Sequence, residues 1–273
     1  MRYACLVWLI AGCGFASQPG AADDPGGDPG GPGAGGSGSA GSGSGGTGTG
    51  RCDVSDASLR LCVSFGTDPM AQDLSGAGHA LVAAKDVLPL AGLVGGTAGT
   101  FGLSSQLRFA ESKDFDVADL TFEFWMSPTV APLAGARGWM LDNNMQYSAS
   151  YELGGAVRCG IGSTMATSQT TVALGGWHHV ACSYSKADQQ LSVHVDGDVS
   201  GCAQVDSIPT GGKDGIAIGA NYGGGKYSEQ YVGGLGRLHL YARALGGTEI
   251  CQLATGRTDC NTRCPGSDGS DGG

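Results

Sequence analysis

The sequence predicts an all-β chain folded as a two-sheet antiparallel β-sandwich with one short C-terminal helix. Three observations carry that expectation. First, Trp177, His179, Ala181 and Ser183 alternate with His178, Val180, Cys182 and Tyr184, and Leu191, Val193 and Val195 share one face of the next run. A period of two means strand, and neither run has the spacing of about 3.6 residues that a helix needs. Second, Ser185–Gln190 is a polar connection of hairpin length, and Asp196-Gly197-Asp198 supplies a second turn because Asp and Gly tolerate positive φ. Third, many further short runs of strand character recur along the chain, separated by Gly, Pro, Asn and Asp, with almost no helical pattern.

The elements follow in chain order. Met1-Arg2 and the apolar run Leu6-Val7-Trp8-Leu9-Ile10 read as a signal peptide over residues 1–12, too short to span a bilayer. Leu9-Ile10-Ala11-Gly12-Cys13 resembles a bacterial lipobox, which implies that Cys13 becomes the first residue and carries lipid; cleavage near Ala16, with Cys13 discarded, is the alternative. Gly14 in place of an Asp implies, by the same resemblance, an outer-membrane lipoprotein of a bacterial envelope, facing the periplasm or the cell surface. Residues 13–50 read as a disordered Gly/Ser/Pro-rich linker, since Ala supplies the only apolar side chains from Pro19 to Gly50 and cannot offset the entropy of ordering. Random-coil scaling gives it a reach of roughly 30 Å. Gly31–Gly36 matches the letters of a dinucleotide fingerprint, but no strand precedes it and no helix follows.

A globular domain is expected over residues 51–264, with a disordered tail at 265–273. Leu59, Leu61, Val63 and Phe65 form the first alternating run, and the loop from Gly66 to Gly78 is polar. Strand-like runs follow near 80–84, 107–109, 120–126, 139–141, 146–153, 156–161, 168–172, 199–205, 216–220 and 232–241. The helix is bracketed by Gly246 as N-cap, Glu249 at the capping-box position and Gly256 just past its end.

Trp177-His178-His179-Val180, a strand, then Val195-Asp196-Gly197 is similar to the core of the laminin-G-like, concanavalin A-like jelly-roll family. Asp73–Ala80 resembles its early loop, Leu120–Met126 its central strand, Ile218-Gly219-Ala220 a late strand, and Tyr231–Leu245 with Glu249-Ile250 its closing strand and helix. The resemblance covers roughly Leu59 to Leu253. It implies a jelly roll that binds glycans or proteins, often with Ca²⁺.

Composition narrows the function classes. A net charge of −10 with 15 basic residues argues against nucleic acid, whose phosphates need Lys and Arg to displace counterions. No apolar run reaches the roughly 18–20 residues of a membrane-spanning helix. Without Cys5 and Cys13, an even set remains: Cys52, Cys62, Cys159, Cys182, Cys202, Cys251, Cys260 and Cys264. In an exported, loop-rich domain these read as disulfides, with zinc at Cys260/Cys264 as a rival that lacks its second knuckle. Cys159 and Cys182 are expected to pair, on strands taken as neighbours. Cys52 and Cys62 are expected to pair mainly with the Cys251–Cys264 segment, because sandwich termini tend to meet. Cys202 has no assigned partner.

Glycoside hydrolysis needs two carboxylates flanking the bond, about 5–9.5 Å apart. The strand that resembles the glucanase motif carries one acid, Glu123, and Asp114 and Asp116 precede a turn, so no catalytic residue is assigned. His178 and His179 fall on opposite faces of one strand, where they cannot ligate one metal, and Trp125, Trp139 and Trp177 read as core. Two loops are better candidates. Asp142-Asn143-Asn144 suits sugar hydroxyls or Ca²⁺ at Asp142 and Asn143, a simple turn being the plainer alternative. The Gly-rich loop 221–231, with Asn221, Tyr222 and Tyr227, suits a saccharide or a protein epitope, or is an ordinary long loop. The expectation is therefore a non-catalytic, surface-anchored binding module for an extracellular glycan or protein, its membrane contact limited to the lipid. A structural or adhesive surface protein and an atypical glycoside hydrolase are the alternatives.

Overall fold

The computed structural model describes residues 52–68, 70–91 and 97–264. These fall within one contact-defined unit, Gly46–Gly273, and the signal peptide, Cys13, the linker and the tail lie outside the described residues. In chain order the strands are β1 (Leu59–Phe65), β2 (Ala71–Asp73), β3 (Leu81–Lys85), β4 (Leu88–Leu90), β5 (Ala98–Phe101), β6 (Gln106–Phe109), β7 (Leu120–Pro128), β8 (Gly138–Asn143) and β9 (Tyr147–Tyr151). They continue as β10 (Val157–Ile161), β11 (Thr164–Thr167), β12 (His178–Ser185), β13 (Gln190–Val195), β14 (Asp198–Gln204), β15 (Ile216–Ile218), β16 (Asn221–Gly223), β17 (Lys226–Ser228) and β18 (Gly233–Tyr241). Helix α1 (Gly247–Thr255) follows, capped by Gly246 and by Gly256 in the left-handed conformation.

Two antiparallel sheets form the sandwich. The first runs β14-β13-β12-β7-β18-β1-β2, with β5 on the free half of β18 and β4 on β5; the second runs β11-β10-β9-β8-β15-β6-β3. Between them lie Phe122, Phe124, Met126, Val180, Tyr184, Val193 and Leu238 from one side and Leu107, Phe109, Leu141, Tyr147, Tyr151, Ile161 and Ile216 from the other. Each large side chain withdrawn from water there contributes roughly 1.5–3 kcal/mol. A second apolar cluster (Leu59, Cys62, Ala181, Tyr241, Leu245, Ile250) packs α1 onto the outer face of the first sheet.

Four expectations are corrected. The run 168–172 is not a strand; the strand is Thr164–Thr167, turned back onto β10 so that Arg158 faces Thr167, while the Ser168 hydroxyl takes the Val157 N–H at 2.9 Å. Loop 221–231 contains the hairpin β16–β17, with Tyr222 opposite Tyr227. Cys159 does pair with Cys182, but across the sandwich, from β10 of one sheet to β12 of the other, not between neighbouring strands. Cys52 and Cys62 bond each other, and the C-terminal segment closes Cys251–Cys260 and Cys202–Cys264. The physical reason is local: each of the two short loops brings its own cysteines together, at Cα separations of 5.8 and 5.7 Å, so neither needs the other terminus.

Candidate functional site

Strand alternation decides which side chains the second sheet presents outward. Leu107, Phe109, Leu141, Tyr147, Ala149, Tyr151, Val157 and Cys159 are core, so Arg108, Trp139, Asp142, Ser148, Ser150 and Arg158 lie on the opposite face. Hairpin β16–β17 lies against that face. Asp142 Oδ2 accepts the Tyr222 N–H at 2.9 Å, which joins two of the expected stretches across 80 residues of sequence. The Arg108 guanidinium stands 4.3 Å from the Tyr222 ring centroid, and the Tyr222 and Tyr227 rings are 4.7 Å apart. Tyr222, Tyr227, Asn221 and Asn144 are half-buried. Below the hairpin, Trp139 Nε1 donates to Glu229 Oε2 at 2.9 Å, and the Arg137 amide donates to Glu229 Oε1 at 3.1 Å. Glu152 collects the Ser150 hydroxyl at 2.7 Å and the cations of Arg137 and Arg158 at 3.4 and 3.7 Å. Arg108 Nε, Arg158 Nε and the Tyr227 hydroxyl are buried without a hydrogen-bond partner among the described residues.

Electrostatics set Asp142 apart. Burial pushes its carboxyl up to about 6, Asp214 adds to the rise, and the Tyr222 and Asn144 amides oppose it. The Asn144 amide donates to Asp214, and Arg108 holds the Asp214 carbonyl at 2.5 Å. Asn144 and Met145 both have positive φ, 23° and 75°, in the tight turn between β8 and β9. For a methionine this is strained backbone.

The expected residues therefore divide. Asp142, Asn144, Asn221, Tyr222 and Tyr227 come together. Asn143 does not: it points inward, wholly buried, and donates through Nδ2 to Gln146 Oε1 at 2.8 Å. Adjacent strand residues face opposite sides, so Asp142 and Asn143 do not fit a single Ca²⁺. The residue pattern does not single out Arg108, whose place on this face comes from its register in β6, or Asp214, which a loop brings beside Asn144; Glu229 belongs to the expected loop 221–231. The tryptophans read as core from that pattern. Trp139 is buried yet faces outward from the sheet, and Trp125 and Trp177 are half-buried on the outer face of the other sheet. Glu123 lies on that same outer face, wholly enclosed, with Oε2 2.5 Å from His179 Nε2 and Oε1 against His239 Nδ1. A lone carboxylate with both oxygens committed has no partner acid across a bond.

No curated protein matches the chain. Among solved structures, the binding domain of Paraclostridial Mosquitocidal Protein 1 aligns with TM-score 0.59 at 16% identity, over 75% of this chain and 53% of that one. The binding domain of botulinum neurotoxin DC, in complex with SialylT, aligns with TM-score 0.54 at 12% identity, over 75% of this chain and 52% of that one. This chain thus spans about half the length of both. Domain 4 of an extracellular GH43 arabinanase from Geobacillus stearothermophilus, in complex with arabinotriose, aligns with TM-score 0.56 at 17% identity, over 72% of this chain and 98% of that one. At these identities the likeness is one of fold. The Laminin_G_3 family model matches residues 101–251, more than half of the sequence, and the chain belongs to this family of the concanavalin A-like lectin/glucanases superfamily.

Proposed function

We propose that the protein is a non-catalytic glycan-binding module whose site is the outer face of the second sheet, between the 142–144 turn and the β16–β17 hairpin. One observation carries the reading: the Asp142–Tyr222 hydrogen bond fastens the hairpin over Arg108, so half-buried aromatic rings share one patch with the half-buried amides of Asn144 and Asn221. Sugars need that combination, an apolar face to lie on and fixed donors and acceptors for hydroxyls. Arg108 and Tyr227 flank Tyr222, so the stacking surface offered to a ligand is Tyr227, with Asp142, Asn144 and Asn221 to orient hydroxyls. The neighbours in complex with arabinotriose and SialylT are in keeping with a glycan, the botulinum domain in complex with rat synaptotagmin II with a protein, so the choice of a glycan rests on the aromatic and polar groups of this face.

Display on a lipidated Cys13 at a bacterial envelope, through the 13–50 tether, belongs to the same proposal, since acyl chains supply membrane affinity. Cys13→Ser is expected to move the protein from the membrane fraction to the soluble one; a variant that still pellets contradicts the anchor. A glycan array probed with the full chain, with Ca²⁺ and with chelator, tests the ligand. Binding to a defined glycan set supports the reading, and retention in chelator is expected because Asp142 and Asn143 do not share an ion. Turnover of a bound polysaccharide would instead favour an enzyme that uses Asp142 as its raised-pKa acid.

A further inference from the structure

The outer face of the first sheet holds a second constellation, separate from the site proposed above. Helix α1 and its cluster cover the half of this face near Tyr241 and Ala181. The other half carries Trp125, Trp177 and Arg237, all half-buried. Trp177 packs against β18 at Gly234: a Cβ there would stand 2.7 Å from its Cη2 and 2.8 Å from Leu90 Cδ2, so glycine admits both side chains. Two residues on, the register of β18 against β7 slips between Gly236 and His239. Arg237 occupies this bulge with φ 47°, a left-handed conformation that a non-glycine residue enters at a cost. The bulge sets the guanidinium 5.7 Å from the Trp125 ring centroid. Trp125 in turn meets His179 edge-on at 5.5 Å, and His179 is fixed by the buried Glu123. The indole under Arg237 is therefore held from behind.

Among the described residues, no acceptor holds the guanidinium itself. Arg108, Arg137, Arg158 and Arg243 each bond or pair with a carbonyl or carboxylate, whereas Arg237 makes no side-chain hydrogen bond or ion pair with a described residue and its Nε is buried without a partner among them. Glu123, the one acid that acts on it electrostatically, has both oxygens on imidazoles. In a chain of net charge −10, a partly desolvated cation with no described partner, over the Trp125 indole and on the face where Trp177 packs at Gly234, is an unfilled anion position.

We infer that Arg237, Trp125 and Trp177 form a second binding site that takes a carboxylate-bearing sugar. The planar guanidinium accepts a carboxylate through two parallel N–H donors, and the indoles receive the C–H face of the ring. An isolated inorganic anion would use the first feature and leave the second idle.

The test titrates the full chain with trigalacturonate and sialyllactose, and with the methyl ester of the first and lactose as neutral counterparts, reading tryptophan fluorescence and calorimetry. At least one acidic sugar is expected to bind, with affinity at least tenfold above its neutral counterpart. Arg237→Gly separates binding from structure. Relief of the left-handed strain is expected to leave the melting temperature unchanged or raise it, while acidic-sugar binding falls at least tenfold. Tyr227→Ala, which lies in the other site, is expected to leave this binding intact. Absence of binding by both acids, equal binding of acid and neutral forms, or unchanged affinity in Arg237→Gly overturns the inference. Loss of acidic-sugar binding in Tyr227→Ala with retention in Arg237→Gly assigns the ligand to the first site instead.

Discussion

Glu123 shows what a single residue costs and contributes in this fold. Burial alone would raise its carboxyl, yet the charge of His239 and hydrogen bonds from both imidazoles hold it down at about 2. A carboxylate depressed on folding stabilises above its unfolded value, here near 4.5, and that stability is lost as pH falls toward about 2. His194 works in the same pH sense by another route: burial first, then the neighbouring His179, lower it from 6.5 to about 4. Its favourable share is complete above about 6.5 and disappears as pH falls to about 4. Removing this contribution with His194→Gln is expected to raise the melting temperature of the variant relative to the parent progressively as pH falls from 6.5 to 4; a difference that does not change with pH contradicts the assignment. Glu123→Gln leaves two imidazoles around a neutral amide and is expected to cost about 3–5 kcal/mol in denaturant unfolding. Asp142 has the opposite sign. Its carboxyl rises to about 6, so the charged form is penalised at pH 7, and the penalty is relieved as pH falls toward 3.8. Asp142→Asn, whose amide oxygen can still accept the Tyr222 N–H, is expected to stabilise the domain at pH 7 by on the order of 1–3 kcal/mol while weakening glycan binding. None of this was legible in sequence, because Glu123 and His239 are 116 residues apart and meet only through register.

At the scale of elements, the long alternating strands were readable. β1, β7, β12, β13 and β18 alternate core residues with smaller or polar ones, and period two records that, although β7, β12 and β18 are buried on both faces. The helix ends were also readable, because Gly256 needs the left-handed conformation it adopts at φ 73°. Short elements were not. β11 is polar and partly exposed, and its boundary is set by the return turn at Gly162, not by its own side chains. β16 and β17 have three residues each and form only because Asp142 and Arg108 hold Tyr222 from below. The disulfides divide along the same line. Cys159–Cys182 joins two buried strands and was expected; the loop-closing pairs depend on local backbone paths that composition does not record. Mass mapping without reduction is expected to find all eight domain cysteines bridged as observed, and a free Cys159 or Cys182 would contradict it. Replacing both by Ala is expected to cost about 2–4 kcal/mol in denaturant unfolding.

Across the whole molecule, two sheets give two outer faces, and both depart from a plain polar surface. One is half covered by α1 and carries indoles and an arginine with no described partner. The other carries the hairpin, with the half-buried Tyr222 and Tyr227 rings side by side, and a strained turn at Asn144-Met145. The sequence motifs that identify the family lie mostly on strands, so they report the sandwich; the groups that distinguish this chain lie where strands end or slip. That is why the fold was legible and the ligand was not. The most direct measurement is the affinity of the full chain for its best array glycan, compared with Tyr227→Ala. The account expects a fall of at least tenfold, about 1.4 kcal/mol, at unchanged melting temperature. No glycan bound, or equal affinity in the variant, would contradict a binding site on this face.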